Sequence, residues 1–280
     1  MSEAALAAAL ESGEPIVLPL TMPAADTPEN AMQVQLLMPD FDQTGKLPAV
    51  QITVENAGTG TVAFVMGDDG SLTPVKDCCG ALIVPVDESC TLVIADNATR
   101  FPDAEDHWAK DAIAFVTARG ILNGTDRGFE PERSMTRAMV AQMLYNLDRA
   151  AAPGIAATFG DVAADAWYAD AVGWAGAMDY MHGYGDDFGP DDPISRQDLV
   201  TILYRYALKH GLAEDADGAL SAWPDADQVA DYAREAMAWA VGKGIINGVD
   251  GLLDPTSPAT RAQIAVIMQR FIERTLFPVV

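Results

Sequence analysis

The chain has 280 residues, 50% of them hydrophobic, and sets 17 Lys and Arg against 41 Asp and Glu for a formal charge of −24 at pH 7. A chain of this size and apolar content can bury a sizeable core, which excludes a disordered acidic polymer. The charge excludes unspecific binding to nucleic acid or to an anionic membrane surface, since both draw their affinity from Lys and Arg at phosphates. A few local arginines can still hold an anion.

The N-terminal stretch MSEAALAAALESG has no basic segment and no apolar run behind it. It reads as a short helix and not as a signal peptide, and no stretch is apolar enough for membrane insertion. That leaves a cytoplasmic protein or an excised part of an exported one. Short β-branched runs follow: IVLPL, AMQVQLLMP, AVQITVEN, TVAFVMGDDGSLTPV, ALIVPV and CTLVIADN. Pro, Gly, Asn and Asp separate them, and GDDGS is a hairpin turn by composition. Residues 1–98 are therefore expected to form a small β-rich (α+β) domain of about six strands with one terminal helix. Cys78, Cys79 and Cys90 all fall in this part. The odd count rules out a disulfide framework and leaves either one bridge to Cys90 or ordinary thiols. With no His nearby, they make a poor zinc set.

From Phe101 the period turns helical and the chain repeats itself. Aligning Trp108, Trp167 and Tyr232 brings Gly120, Asp179 and Gly244 together, then Gly124, Gly183 and Gly248. Phe129, Phe188 and Leu253 come next, then Pro131, Pro190 and Pro255. Arg137, Arg196 and Arg261 each stand twenty-nine residues after the leading aromatic, without a gap. The units fall at 101–150, 159–210 and 222–276. Each reads as helix, loop, helix: Gly or Asp at a left-handed C′ position ends the first helix. Thr136, Ser195 or Thr260 is the N-cap of the second. The second helix carries an apolar stripe at i, i+3, i+4 and i+7, as in Val140, Met143, Leu144 and Leu147. One such pair buries little, so three units must share a core. Periodicity alone fits an open stack or a threefold closure.

The pattern F-x-D, then W, G-I-x-x-G, F-x-P and T-R resembles the S-layer homology (SLH) domain, in three copies over roughly 101–273. The resemblance implies an all-α triplet closed into a pseudo-threefold, three-pronged helical spindle. It also implies a non-catalytic anchor whose inter-repeat grooves hold secondary cell-wall polysaccharide, commonly ending in pyruvylated N-acetylmannosamine. Carried onto this chain, the ligand-binding residues are Asp103, Trp108 and Arg137; Asp161, Trp167 and Arg196; and Asp225, Tyr232 and Arg261. Gly124, Gly183 and Gly248 shape the grooves. The parent protein is expected outside the cell, at the wall or S-layer, with no cofactor and no metal. Departures lie in the third unit, with WPD, Tyr232 and Leu253, and at Asp179 in the second. Tyr232 therefore counts as the weakest ligand.

Residue chemistry sharpens these expectations. A guanidinium at the first position of a helix sits beside unpaired N–H groups and can hold a carboxylate bidentately. The competing role is an ion pair within each unit, Arg137 with Asp103, Arg196 with Asp161, Arg261 with Asp225. Trp174 and Trp239 belong to the core, Trp223 to packing, and His107 to a loop surface. Trp108 and Trp167 sit where a sugar ring can cover them. The loops GTDRGFEP and GVDGLLDP lack the alternating oxygens of a calcium site. The alternatives to an anchor are an envelope scaffold that self-associates and, remotely, a carboxylate-based glycoside hydrolase.

Overall fold

The computed structural model describes residues 16–21, 31–36, 50–55, 58–74, 77–78, 81–84, 90–148, 155, 157–213 and 218–276. The chain divides into two compact units, Met1–Thr99 and Arg100–Pro278. The expected N-terminal helix lies outside the described residues.

The first unit holds two four-stranded sheets. One has the order β1 (Ile16–Thr21), β3 (Val50–Glu55), β7 (Ala81–Val84), β6 (Asp77–Cys78); β1 and β3 run parallel. The other has the order β2 (Ala31–Leu36), β8 (Cys90–Asp96), β4 (Thr61–Met66), β5 (Leu72–Pro74) and is antiparallel. Among the described residues there are eight strands where about six were expected, for two reasons. The run TVAFVMGDDGSLTPV folds back on itself as β4 and β5, and a two-residue strand pairs with β7. The hairpin closes at Gly67, whose N–H donates to the Ser71 carbonyl (2.8 Å), while Asp69 accepts from the Ser71 N–H (2.9 Å). Gly70 there has φ +79°, a conformation that a Cβ penalises. Val62, Ala63, Leu92, Val93 and Ile94 are buried.

The second unit contains three helix pairs: α1 (Lys110–Ala118) and α2 (Arg137–Asp148), α3 (Ala169–Ala177) and α4 (Arg196–Lys209), α5 (Arg234–Gly242) and α6 (Arg261–Phe271). The first helix of each pair ends on a left-handed residue: Gly120 (φ +66°), Asp179 (+60°) and Gly244 (+66°). Ser195 and Thr260 cap α4 and α6, accepting from the Asp198 and Gln263 N–H groups (3.2 and 3.3 Å). The Gln263 side-chain oxygen in turn accepts from the Thr260 N–H (3.1 Å), completing a capping box.

The three repeats close on one another in a ring. Helix α2 packs on α3, α4 on α5, and α6 returns to α1, so each prong joins the second helix of one repeat to the first of the next. At the centre, Met135 N–H donates to the Ala259 carbonyl (3.1 Å), Ala259 to Ile194 (2.9 Å) and Ile194 to Met135 (3.0 Å). The threefold closure is thereby fixed and the open stack excluded. The apolar stripes meet inside: Val140, Met143 and Leu144, Leu199 and Leu203, Ile264 and Met268 are all buried. Trp174 and Trp239 are buried among them, as their mid-helix positions required. Among the described residues no helix is long and apolar enough to cross a membrane.

Candidate functional site

The three arginines begin α2, α4 and α6, and all are buried. Each reaches across to the loop of the next repeat. Arg137 donates through Nε to the Phe188 carbonyl (2.8 Å) and through Nη2 to that of His182 (2.5 Å). Arg261 does the same to Phe129 (2.6 Å) and Asn123 (2.7 Å), and Arg196 bonds Leu253 through Nε (3.0 Å). Aromatic faces support two of them: Arg137 lies over Tyr184 and Phe188, and Arg261 over Phe129.

The aspartates grip the same loops from the other side. Asp103 accepts from the N–H groups of Phe129 (3.0 Å) and Glu130 (2.7 Å); Asp161 from Phe188 and Gly189 (2.7 Å each); Asp225 from Leu253 (3.0 Å) and Asp254 (2.7 Å). Desolvation pushes each carboxyl up, yet these N–H donors and a neighbouring guanidinium hold it below its ordinary value. The guanidinium comes from the preceding repeat: Arg261 for Asp103, Arg137 for Asp161, Arg196 for Asp225. This corrects the expected ion pairs within each unit. Asp and Arg clamp opposite edges of one loop, and no direct Asp–Arg bond joins them among the described residues.

A second expectation is also corrected. The helix N-terminal N–H groups are not open to an anion. Those of Arg137, Arg196 and Arg261 donate to the carbonyls of Asp192, Ser257 and Arg133, and the following ones to Pro190, Pro255 and Pro131. The next repeat's loop thus consumes the orphan donors that a helix start normally offers. Among the described residues, Nη1 of Arg137 and of Arg261 and both outer nitrogens of Arg196 form no hydrogen bond.

The leading aromatics stand out in solvent: Trp108 is 66% exposed, Trp167 63% and Tyr232 59%. A groove of about 250 Å³ opens beside Tyr232, lined by Arg137, Gly183, Tyr184, Asp198 and Arg205 among others. It draws on all three repeats: Arg from the first, loop and helix α4 from the second, aromatic from the third. In this groove, then, the arginine and the aromatic come from different repeats. Tyr232 donates to Asp198 (2.6 Å), which also receives the Ser195 hydroxyl (2.5 Å). Burial and the Asp198 charge push the Tyr232 phenol well up, so it acts as a donor.

The glycines are set by packing. A Cβ on Gly124 would overlap the Phe101 ring, on Gly183 the Phe159 ring, and on Gly248 the Trp223 ring. Trp223 therefore takes the place of the leading Phe in the third repeat. Gly183 also lines the groove. His107 is not a free surface residue: its side chain is 13% exposed and bonds Glu132 (2.8 Å). Arg205, Arg270 and Asn146 share one repeat position, nine residues after the clamp arginine. At that position Arg205 lines the groove, where the sequence showed only ordinary helix surface. Among the described residues no three His, Cys, Asp or Glu gather as metal ligands.

The S-layer homology domain family matches residues 100–139, 158–200 and 224–265, one match for each turn of the ring. Residues 100–265 are three S-layer homology domains. Domains of this family are structural and adhesive modules, not catalysts; they attach proteins to the cell wall and generally bind its polysaccharide. The parent of such domains is an extracellular, cell-wall protein. The chain is similar to an exoglucanase, XynX, of Acetivibrio thermocellus (32% identity over 65% of this chain and 17% of the relative). It is also similar to a surface-layer 125 kDa protein of Lysinibacillus sphaericus (30%; 59% and 14%). A cellulosome-anchoring protein of Acetivibrio thermocellus matches at 28% over 55% of this chain and 36% of its own length. The chain thus spans well under half the length of these curated relatives.

Proposed function

We propose that the SLH triplet fastens its parent protein to the wall by holding an acidic secondary polysaccharide in the three inter-repeat grooves. The observation that carries this reading is the groove that Arg137 and the exposed ring of Tyr232 line together, in a triplet whose three leading aromatics are all exposed and whose three arginines all start a helix. In a chain of net charge −24, three such cationic grooves suit a glycan bearing carboxylate, such as a pyruvyl ketal. The guanidinium supplies charge-assisted bonds and the ring covers an apolar sugar face. Asp103, Asp161 and Asp225 act indirectly by setting the loops; Gly124, Gly183 and Gly248 keep those loops close. The working boundaries are a β-rich domain at 1–98 and repeats at 101–150, 159–210 and 222–276. The printed names of the surface-layer and cellulosome-anchoring relatives agree with a role at the cell surface. Co-sedimentation with purified sacculi tests the proposal: binding should vanish once the secondary polysaccharide is extracted. Binding that persists on bare peptidoglycan would overturn it.

A further inference from the structure

Met139, Asp198 and Gln263 share the third position of the second helix in their repeats, two residues after the clamp arginine. At a helix start this position serves the cap. Gln263 does so by accepting from the Thr260 N–H. Asp198 is a methylene shorter, and among the described residues it takes no bond from the Ser195 N–H. Its carboxylate is turned outward instead. Oδ2 accepts from the Ser195 hydroxyl (2.5 Å), and Oδ1 accepts from the hydroxyl of Tyr232 in the third repeat (2.6 Å).

Two departures from the repeat thus meet. Of the three leading aromatics only Tyr232 has a hydroxyl, and of the three residues at that helix position only Asp198 has a carboxylate. The other two aromatics are braced by a neighbouring ring: Trp108 by His107, with centroids 5.3 Å apart, and Trp167 by Tyr168, at 5.2 Å. Among the described residues no ring packs on Tyr232, which is as exposed as they are. The bond to Asp198 stands where the ring contact is missing.

We infer that Asp198 is a positioning residue of the Arg137 groove, holding the Tyr232 ring in place as the wall against which a sugar packs. The inference rests on the proposed glycan reading. A preset ring loses less rotational freedom when a ligand covers it. By charge alone the same carboxylate works the other way, since it lines a groove with Arg137 and Arg205 and repels an acidic polymer. Positioning and charge therefore give opposite signs when Asp198 is removed.

The test is a calorimetric titration with the acidic polysaccharide extracted from the wall. The full chain carries Trp108→Ala and Trp167→Ala, so that Tyr232 is the one leading aromatic left. Asp198→Ala in that chain should weaken binding about three- to tenfold, although a negative charge is lost. Asp198→Asn keeps an acceptor for the hydroxyl and should bind at least as tightly as its parent. Tyr232→Phe should lose as much as Asp198→Ala, and the two together no more than either. Helical circular dichroism should persist, because Ser195 accepts from the backbone N–H of residue 198 whatever its side chain.

A readout without ligand accompanies it. Burial and the Asp198 bond hold the Tyr232 phenol above its ordinary value, so one tyrosine should ionise earlier in an alkaline absorbance titration of Asp198→Ala. Unchanged or tighter binding by Asp198→Ala, additive losses in the double variant, or an unaltered phenol titration would overturn the inference. So would a native chain that binds while the chain keeping only Tyr232 does not. A native chain that ignores the polysaccharide would refute the glycan reading, and with it the role of Tyr232 as a wall for that polymer.

Discussion

At the residue scale, the central pair is a guanidinium and a carboxylate that act on one loop without touching. Asp225 is 5% exposed, whereas Asp103 is exposed at the surface. Asp225→Ala should therefore cost about 1–3 kcal/mol, because it strands the Leu253 and Asp254 N–H groups, and Asp103→Ala clearly less. Urea unfolding followed by circular dichroism measures the difference. The same carboxyls set an acid limit. Their folded pKa values lie below the ordinary 3.8, so the stability they contribute is complete above about pH 4 and drains as pH falls through the depressed values. The urea midpoint should thus fall on acidification below pH 4, and Asp225→Asn should flatten that fall. The recurrence of Arg and Asp was plain in the sequence. Which Arg meets which Asp was not, because three equivalent units offer no sign of the partner repeat.

At the element scale, the helix boundaries followed from short-range chemistry and were readable. Gly120, Asp179 and Gly244 end helices with positive φ, and Ser195 and Thr260 begin them. Thr260→Ala should cost about 1 kcal/mol through the lost cap. Gly120→Ala should cost about 1–2 kcal/mol from backbone strain alone, since no atom stands within 4 Å of an added Cβ. Gly124→Ala should cost more, as its Cβ would displace the Phe101 ring. Thermal melts of the two glycine variants compare these costs directly. What the sequence hid was the fate of the helix N-terminal donors. Their partners are carbonyls from a distant loop, invisible to a local pattern. The groove position of Arg205 was hidden for the same reason: its meaning depends on the neighbouring repeat.

At the scale of the whole triplet, the ring of Met135, Ile194 and Ala259 makes each repeat depend on the other two. A linear stack would survive loss of its last unit. Here a chain ending at residue 213 would lose the α6 partner of α1 and the Arg261 clamp on the first loop. It should show little cooperative helical unfolding by circular dichroism, where the full triplet shows one transition. The closure also explains why the third unit, with Tyr232 and Leu253, ranked lowest from sequence yet supplies the aromatic of a well-formed groove. Its groove is shared with its neighbours.

The most direct measurement is a fluorescence titration of the purified chain with the acidic polysaccharide extracted from the wall. Trp108 and Trp167, both exposed, report on occupancy. The native chain should show saturable tryptophan quenching. The variant with Trp108, Trp167 and Tyr232 all replaced by Ala should keep its helical circular dichroism and lose sacculus binding. A native chain whose fluorescence ignores the polysaccharide, or a triple variant that binds sacculi as tightly as the native chain, would contradict glycan anchoring through the grooves.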